Sequence, residues 1–344
     1  MIDRSRRFQL LWSFHFTFMF PSGSVVPFTG FARICCVCWL ALLFADNLNA
    51  QSAPAADVAR QQTLAQGGWG SNVKKDDEST EGSVLAAPKM TGDEEYGEQR
   101  VLLRRASWAP WSFEVDTAAF YTDNAALSSQ LPQSDSYLRS GLRGGYSNRV
   151  AGNLFFNAGL DYHTLRHDQF RVFDFDLVRM DLGFMYMLPK LRDTFIVTRY
   201  SYYRLMGVEL GAPLYQDHIA SLGVQKLWKI SRGQQIFAGL YGDWSTAPQP
   251  WAAGRHEYSF FTGWKLRLTE ALNVQLSYRG AYYQYRTGQR NDWNQVTVAA
   301  ANYDVKDWLR LSLTGSYSVN HSSGRAFDYQ NLITGAGVTL HWEF

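Results

Sequence analysis

Hydrophobic and polar residues alternate along most of the chain after Trp108, with a period of two residues. The clearest stretch covers residues 309–320, where leucine, glycine, tyrosine and valine occupy the odd positions and arginine, serine, threonine and asparagine the even ones. Successive side chains of a β-strand point to opposite faces, so this period gives each strand one apolar and one polar face. Residues 154–162, 274–282 and 334–344 repeat the pattern. The pattern predicts an all-β fold for this part of the chain.

The lengths of these strands and of their connections favour a barrel that spans a membrane. Each alternating stretch runs for about 9 to 12 residues, longer than most soluble strands and suited to a tilted membrane-spanning strand. Short turns near residues 148, 190, 231, 270 and 305 alternate with longer polar loops, such as residues 164–172. We therefore predict a transmembrane antiparallel up-and-down β-barrel of about twelve strands over residues 106–344. Both ends of the barrel segment then lie on the short-turn side.

Aromatic residues make up 15% of the chain and gather near both ends of the predicted strands. Aromatic rings with a polar edge prefer the interface between membrane and water, so two such groups indicate two membrane surfaces. The alternative is a secreted β-sandwich with aromatic core faces. The group near the short turns contains Trp111, Phe113, Tyr186, Trp228, Trp264, Trp308, Trp342 and Phe344, and the group near the long loops contains Tyr121, Tyr137, Tyr162, Tyr202, Trp244, Tyr258, Tyr282 and Trp293.

Composition agrees with amphipathic strands and excludes two other classes of protein. The 344 residues are 46% hydrophobic, and 33 Lys and Arg residues nearly balance 31 Asp and Glu residues. A mean hydropathy of −0.27 is too polar for a bundle of transmembrane helices. The balanced charge does not fit a polycationic nucleic-acid binder, so we expect no nucleic-acid partner.

The N-terminal part resembles an export signal. Residues 34–44 form an apolar run that follows Arg33 and precedes small and polar residues ending near Ala50. A positive segment, a short apolar segment and a small-residue cleavage site define a secretory signal peptide, and this run is half the length of a transmembrane helix. We predict a signal peptide over residues 1–50, with Met19 as the expected initiator. An uncleaved N-terminal anchor is the alternative.

Composition changes again between the predicted signal and the barrel. Residues 51–105 are rich in Gln, Ser, Ala, Gly, Asp and Glu, and they keep no strand or helix period. Such a segment buries too little apolar surface to offset the entropy of ordering, so we predict a flexible periplasmic linker. All three cysteines, Cys35, Cys36 and Cys38, lie in the apolar run near the N-terminus. The rest of the chain therefore holds neither a disulfide framework nor a thiolate metal site.

The end of the chain carries a family resemblance. The last residues alternate outward apolar side chains, Val338, Leu340 and Trp342, and finish on Phe344. This segment is similar to the C-terminal recognition strand of bacterial outer-membrane β-barrel proteins. The resemblance implies insertion by the barrel assembly machinery and contact with outer-membrane lipid and lipopolysaccharide. Outer-membrane barrels have short periplasmic turns and longer outer loops, so the asymmetry of the connections predicts that the N-terminal linker and the C-terminus are periplasmic.

Strand parity assigns many charged residues to the inner face of the predicted barrel, in nearly equal numbers of each sign. Lys226 is an exception, because it falls on the outward parity near a strand end, from which its long side chain can reach the membrane surface. The basic inward residues are Arg139, Arg143, Arg179, Arg199, Lys265, Arg267, Arg279 and Arg310, and the acidic ones are Glu114, Asp116, Asp161, Asp181, Asp243, Glu257 and Glu343.

These inward charges suggest a function. A twelve-stranded barrel is intermediate between small barrels filled by side chains and large open pores. Balanced charges in its lumen either cross-link the wall or line a narrow polar path with at most weak charge selectivity. We expect a porin-like passive channel for small polar solutes, or a structural envelope protein, with a surface-interaction protein as an alternative. We expect no cofactor.

One pair of residues raises an enzymatic alternative. His321 stands two residues before Ser323, so on a strand the histidine would share a face with the serine and could activate it as a nucleophile. This arrangement resembles the His-x-Ser pair of outer-membrane lipid hydrolases. Those enzymes have an asparagine next, where this chain has Gly324. Serine, histidine and glycine are also ordinary loop residues, so the hydrolase is the weaker hypothesis.

Histidines near the long loops raise a second alternative, a metal site at the barrel mouth. His163, His167, His218 and His256 fall at this end of the strands, and Asp168 follows one of them. The four histidines are spread over three connections, whereas solvated histidines at strand ends are common. We therefore predict no metal site.

Overall fold

The computed structural model describes residues 109–191, 193–208, 213–231 and 233–344. The predicted signal peptide and linker lie outside the described residues. Among the described residues, no helix has the length and hydropathy needed to cross a membrane.

Twelve antiparallel strands form one closed barrel, in which each strand pairs with its neighbours in sequence and β1 pairs with β12. This confirms the predicted fold. Single 3-10 turns lie in three of the long loops, at Arg171–Phe173, Trp251–Ala253 and Arg325–Phe327. The strands are β1 Trp111–Thr122, β2 Asp135–Ala151, β3 Leu154–His167, β4 Phe175–Met187, β5 Thr194–Gly207, β6 Pro213–Ser231, β7 Gln234–Ser245, β8 Arg255–Arg267, β9 Leu272–Tyr285, β10 Asn291–Lys306, β11 Leu309–Ser322 and β12 Tyr329–Glu343.

Most of the strands are longer than the sequence predicted, and one turn lies elsewhere. β1 and β7 have 12 residues, within the prediction, whereas the other ten strands have 13 to 19, because ladder pairing continues past the apolar part of each strand. Residues 164–167, expected in a loop, belong to β3. The turn expected near residue 148 lies instead at Gly152, whose φ of +50° suits glycine. Most of the predicted strand lengths and this turn were therefore wrong, since main-chain pairing does not end where side chains become polar.

The outer face of the barrel is apolar. Leu138, Leu160, Leu182 and Leu313 are all about half exposed or more, and each alternates with an inward polar or small residue. Aromatic side chains are exposed near both strand ends, such as Trp228 by a short turn, but the prediction was wrong for Tyr137, which faces inward and is buried. A continuous apolar exterior with no unpaired strand edge is the surface that a bilayer covers. The protein is a transmembrane β-barrel.

The interior is divided into an apolar layer and a charged layer. The apolar layer lies inside the long-loop end, where inward side chains of β1 to β6 and β12 pack together with Leu127 of the β1–β2 loop. Its buried members are Phe120, Leu127, Tyr137, Leu165, Phe175, Leu177, Tyr203, Leu205, Leu214, Tyr215, Ala253, Tyr329 and Ile333. We call these residues the mouth cluster. The charged layer lies between it and the short turns.

Candidate functional site in the barrel lumen

The charged layer is positioned by the pairing register. Paired residues of an antiparallel ladder point to the same face, and Glu114 pairs with Arg143, which pairs with Asp161, which pairs with Arg179. The residues between them, such as Leu142 and Met180, face outward and are exposed. The structure places on the inner face Arg139, Arg143, Asp161, Arg179, Asp181, Arg199, Lys265, Arg267, Arg279 and Arg310.

Ion pairs and a hydrogen bond link the strands β1 to β5 in turn along the inner wall of the barrel. Arg143 contacts Glu114 at 2.9 Å and Asp161 at 2.6 Å. Arg179 contacts Asp161 at 2.5 Å and Asp181 at 2.9 Å, and Asp181 also accepts a hydrogen bond from the Ser201 hydroxyl. Because each arginine bridges two carboxylates, the pairs connect neighbouring strands across the barrel wall.

A second group of charges lies deeper, directly below the mouth cluster. Arg139 donates to Asp116, and the Nε2 atom of His163 lies 3.6 Å from the other carboxylate oxygen. All three residues are buried, and Gly141 leaves the space that the His163 ring fills. A Cβ atom at Gly141 would overlap that ring. This group is therefore buried, closely packed and ion-paired next to the mouth cluster.

The opposite wall carries a stack of arginines and aromatic rings that the sequence analysis largely missed. Arg279 pairs with Glu257. The guanidinium of Arg255 lies 3.6 Å from the ring centre of Tyr283, and that of Arg290 lies 4.1 Å from the ring centre of Tyr285. Such cation–π contacts hold a guanidinium plane in place. Arg255 has the odd position that faces inward in β8. The sequence analysis missed this residue because it placed residue 255 at the end of a long loop.

Exposure of these pairs changes along the lumen. The side chains of Arg143 and Glu114 are 37% and 33% exposed, whereas those of Arg139 and Asp116 are each 10% exposed. Arg310 and Asp304, which lie near the short turns of β10 and β11, are 39% and 32% exposed. Water therefore reaches the charged layer from the short-turn end and is excluded toward the mouth cluster.

The structure does not bring the proposed catalytic pair together in the lumen. His321 is the last outward residue of β11 and is exposed, and Ser323 follows the end of that strand. The Ser323 hydroxyl accepts a hydrogen bond from the Asn291 N–H at 3.0 Å. Within the described ranges no hydrogen bond between His321 and Ser323 is present. Ser323 thus fastens the β9–β10 loop to the β11–β12 loop.

The histidines of the metal alternative are also apart. His163 faces the lumen beside Asp116, while His167 contacts Asp174 at 3.3 Å. His218 faces outward and lies 2.5 Å from the Tyr200 hydroxyl. The described part of the chain contains no group of three or more His, Cys, Asp or Glu side chains placed to hold a metal ion.

Lys226 faces outward, with its ammonium 5.8 Å from the ring centre of Trp228.

The last strand completes the barrel. Its outward residues Val338, Leu340 and Trp342 pair with the outer face of β1, and the rings of Phe113 and Trp342 stack at 5.9 Å. Phe344 follows the strand and is 67% exposed. The segment that resembles a recognition strand is therefore an integral part of the closed sheet.

Searches with protein-family models and among curated proteins find no match to the chain. The chain is similar to solved structures that include an outer-membrane channel, a porin and an autotransporter translocator domain. A COG4313 outer-membrane channel from Pseudomonas putida F1 is 8% identical, with a TM-score of 0.49 over 69% of this chain and 97% of that chain. The KdgM porin in complex with disordered oligogalacturonate is 8% identical, with a TM-score of 0.37 over 66% and 98%. The translocator domain of autotransporter NalP from Neisseria meningitidis is 13% identical, with a TM-score of 0.41 over 69% and 90%.

Proposed function

We propose that the protein is a porin-like passive channel of the bacterial outer membrane for small polar solutes. The supporting observation is the charged layer itself, whose ion pairs line the lumen and become more exposed toward the short turns. Water-accessible charged side chains on the inner wall are what a path for polar solutes requires. In this proposal the short turns and both ends of the barrel segment face the periplasm.

The dimensions of the barrel support a narrow path. A strand separation of about 4.8 Å and a tilt near 40° give twelve strands a backbone radius of roughly 12 Å. Side chains from both walls reach into that space, and the mouth cluster fills much of the long-loop end. We therefore expect small conductance steps and passage limited to small solutes.

Single-channel recording of the refolded full chain in planar bilayers tests the proposal. We expect discrete steps whose size changes when Arg143, which faces the lumen, is replaced by glutamine. Lys226→Gln is the matched control, because it removes the same charge from the outer face. A second preparation without residues 51–105 tests whether that segment blocks the path. Folded protein that gives no steps in either preparation would refute the channel.

The mouth cluster favours a second candidate, a structural envelope protein. Buried aromatic and aliphatic side chains at the long-loop end would close the lumen if they did not move. If both preparations were fully folded and neither gave conductance steps in bilayers, the result would support this candidate. The contact that the structure shows at the Ser323 hydroxyl, with the Asn291 N–H, does not support lipid hydrolysis. If the Ser323→Ala variant kept any measured esterase activity unchanged, the hydrolase hypothesis would be refuted.

Assembly and lipid contacts complete the proposal. We propose that the barrel assembly machinery inserts the chain by recognising Val338, Leu340, Trp342 and Phe344, whose side chains lie on the outer face. We also propose that the apolar exterior contacts outer-membrane lipid and lipopolysaccharide. Cross-linking of the nascent chain to the assembly machinery in cells tests the first statement.

A further inference from the structure

The short-turn half of the lumen has a basic sector beside an apolar sector, which we together call the vestibule. The basic sector is formed by inward residues of β6 to β9, which pair side by side. Its members are Lys229, Gln235, Lys265, Arg267, Asn273 and Gln275. Lys229, Lys265 and Arg267 are exposed, and their amide neighbours are half-buried. This sector therefore presents cations and amide groups to water.

Carboxylates lie around this sector, in the short turns that hold Asp193 and Glu270 and on neighbouring strands. The described inward positions in the short-turn half of β6 to β9 hold no carboxylate. Glu114 on β1 pairs with Arg143, and Asp304 on β10 pairs with Arg310. Among the described inward side chains, the nearly equal numbers of positive and negative charges in the whole lumen thus conceal a local excess of positive charge at this sector. Such an excess attracts anions.

The apolar sector adjoins the basic one along the wall. Met187 pairs with Phe195, and Met185 pairs with Val197, so these inward side chains of β4 and β5 lie together. Leu227 and Phe237 continue the apolar surface to β6 and β7, next to Lys229 and Gln235. Phe195 is buried, and the other apolar members are half-buried. A solute at the boundary would meet apolar surface on one side and cations on the other.

We propose that the vestibule binds small organic monocarboxylates with an apolar body. The carboxylate accepts hydrogen bonds from Lys265, Arg267 and the amide side chains beside them, since charge-assisted hydrogen bonds are the strongest that these groups make. The apolar body lies against the methionine and phenylalanine side chains, and leaves water in doing so. This inference rests on the proposed channel function, because it names the class of solute that the lumen selects.

Equilibrium dialysis of labelled benzoate against the refolded full chain in detergent, with a micelle blank, tests the site. Benzamide keeps the ring without the charge, and acetate keeps the charge without the ring. We expect benzoate to bind about tenfold more tightly than either comparator. Lys265→Gln with Arg267→Gln should remove about tenfold of the benzoate affinity and leave benzamide unchanged. Lys226→Gln, on the outer face of β6, should change nothing.

Several results would overturn the inference. Benzoate that binds no better than acetate would mean that only the positive field acts. An equal loss of affinity in Lys226→Gln would mean that total charge, and not the vestibule, decides. Asp93, Glu94 and Glu95 form an acidic run in the predicted linker. If benzoate bound only after these three residues were neutralised, the natural occupant of the vestibule would be this acidic run and not a small carboxylate.

Dialysis also separates this inference from the proposed channel. Binding at equilibrium requires no ion flow. A folded protein that binds benzoate selectively but gives no conductance steps refutes the channel and retains the site. A conducting protein without a benzoate preference retains the channel and refutes the site.

Discussion

Breaking the buried pair of Arg139 and Asp116 should destabilise the barrel strongly. Arg139→Met keeps the length of the side chain but leaves the Asp116 carboxylate without its main partner in a buried place. Removing one member of a buried ion pair typically costs about 3 to 5 kcal/mol. His163, at 3.6 Å from the same carboxylate, offers a weaker partner. We therefore expect a loss near the lower limit, about 3 kcal/mol.

Two further variants make the expectation specific. Asp116→Asn combined with Arg139→Met removes both charges, so it should recover most of the loss. Arg310→Met breaks a pair at 2.6 Å whose side chains are 39% and 32% exposed. Solvent weakens that interaction, so the expected loss is about 0.2 to 1 kcal/mol.

Urea unfolding of each refolded full-length variant in lipid vesicles, followed by tryptophan fluorescence, measures these losses. We expect the largest loss of stability for Arg139→Met, and smaller losses for the double variant and for Arg310→Met. Equal losses for Arg139→Met and Arg310→Met would show that burial does not set the strength of lumen pairs. A double variant as unstable as Arg139→Met would show that packing, and not charge, is what the arginine contributes.

Three more predictions follow from particular contacts. Leu127→Ala removes a buried side chain from the mouth cluster. We expect it to lower the free energy of unfolding by about 2 kcal/mol, measured by urea unfolding, and to enlarge the conductance steps of the proposed channel in bilayer recordings. Gly263→Ala should cost about 1 to 3 kcal/mol because the new methyl group meets the Phe237 ring, and adding Phe237→Leu should restore part of the loss. Phe344→Ala should lower the amount of folded barrel in cells, measured by heat-modifiable gel mobility, and leave refolding of the purified chain unchanged.

The twelve strands and their faces were predictable because a barrel repeats a single rule. Each strand obeys a period of two, and residues such as Leu311 and Ser312 occupy the predicted sides. Strand ends were less predictable. Ser147 and Asn148 are common turn residues, yet they pair with Asn157 and Phe156 inside the sheet. Main-chain hydrogen bonds do not depend on side-chain type, so they extended β2 beyond the expected turn.

The mouth cluster could not be predicted from alternation. Phe120, Leu165 and Leu205 are inward and apolar, where the rule for a polar lumen expects polar residues. At Phe120 and Leu205 at least one outward neighbour, Tyr121 or Met206, is also apolar, so the period of two fades, whereas at Leu165 the alternation continues with the apolar side chain facing inward. Which inward apolar residues meet depends on the register of the whole barrel. The insertion of Leu127 depends further on a loop that no periodicity describes.

The main-chain contacts between β1 and the end of the chain separate two roles of Phe344, which are closure of the sheet and the recognition that we propose. The Trp111 N–H donates to the Phe344 carbonyl at 3.0 Å, and the Phe344 N–H donates to the Trp111 carbonyl at 3.1 Å. These main-chain bonds close the last pair of the barrel, and any residue at position 344 with a free N–H could make them. The exposed aromatic ring adds nothing to them. Closure of the sheet thus requires only a main-chain N–H and carbonyl at this position, and the phenylalanine ring is needed only for the recognition that we propose.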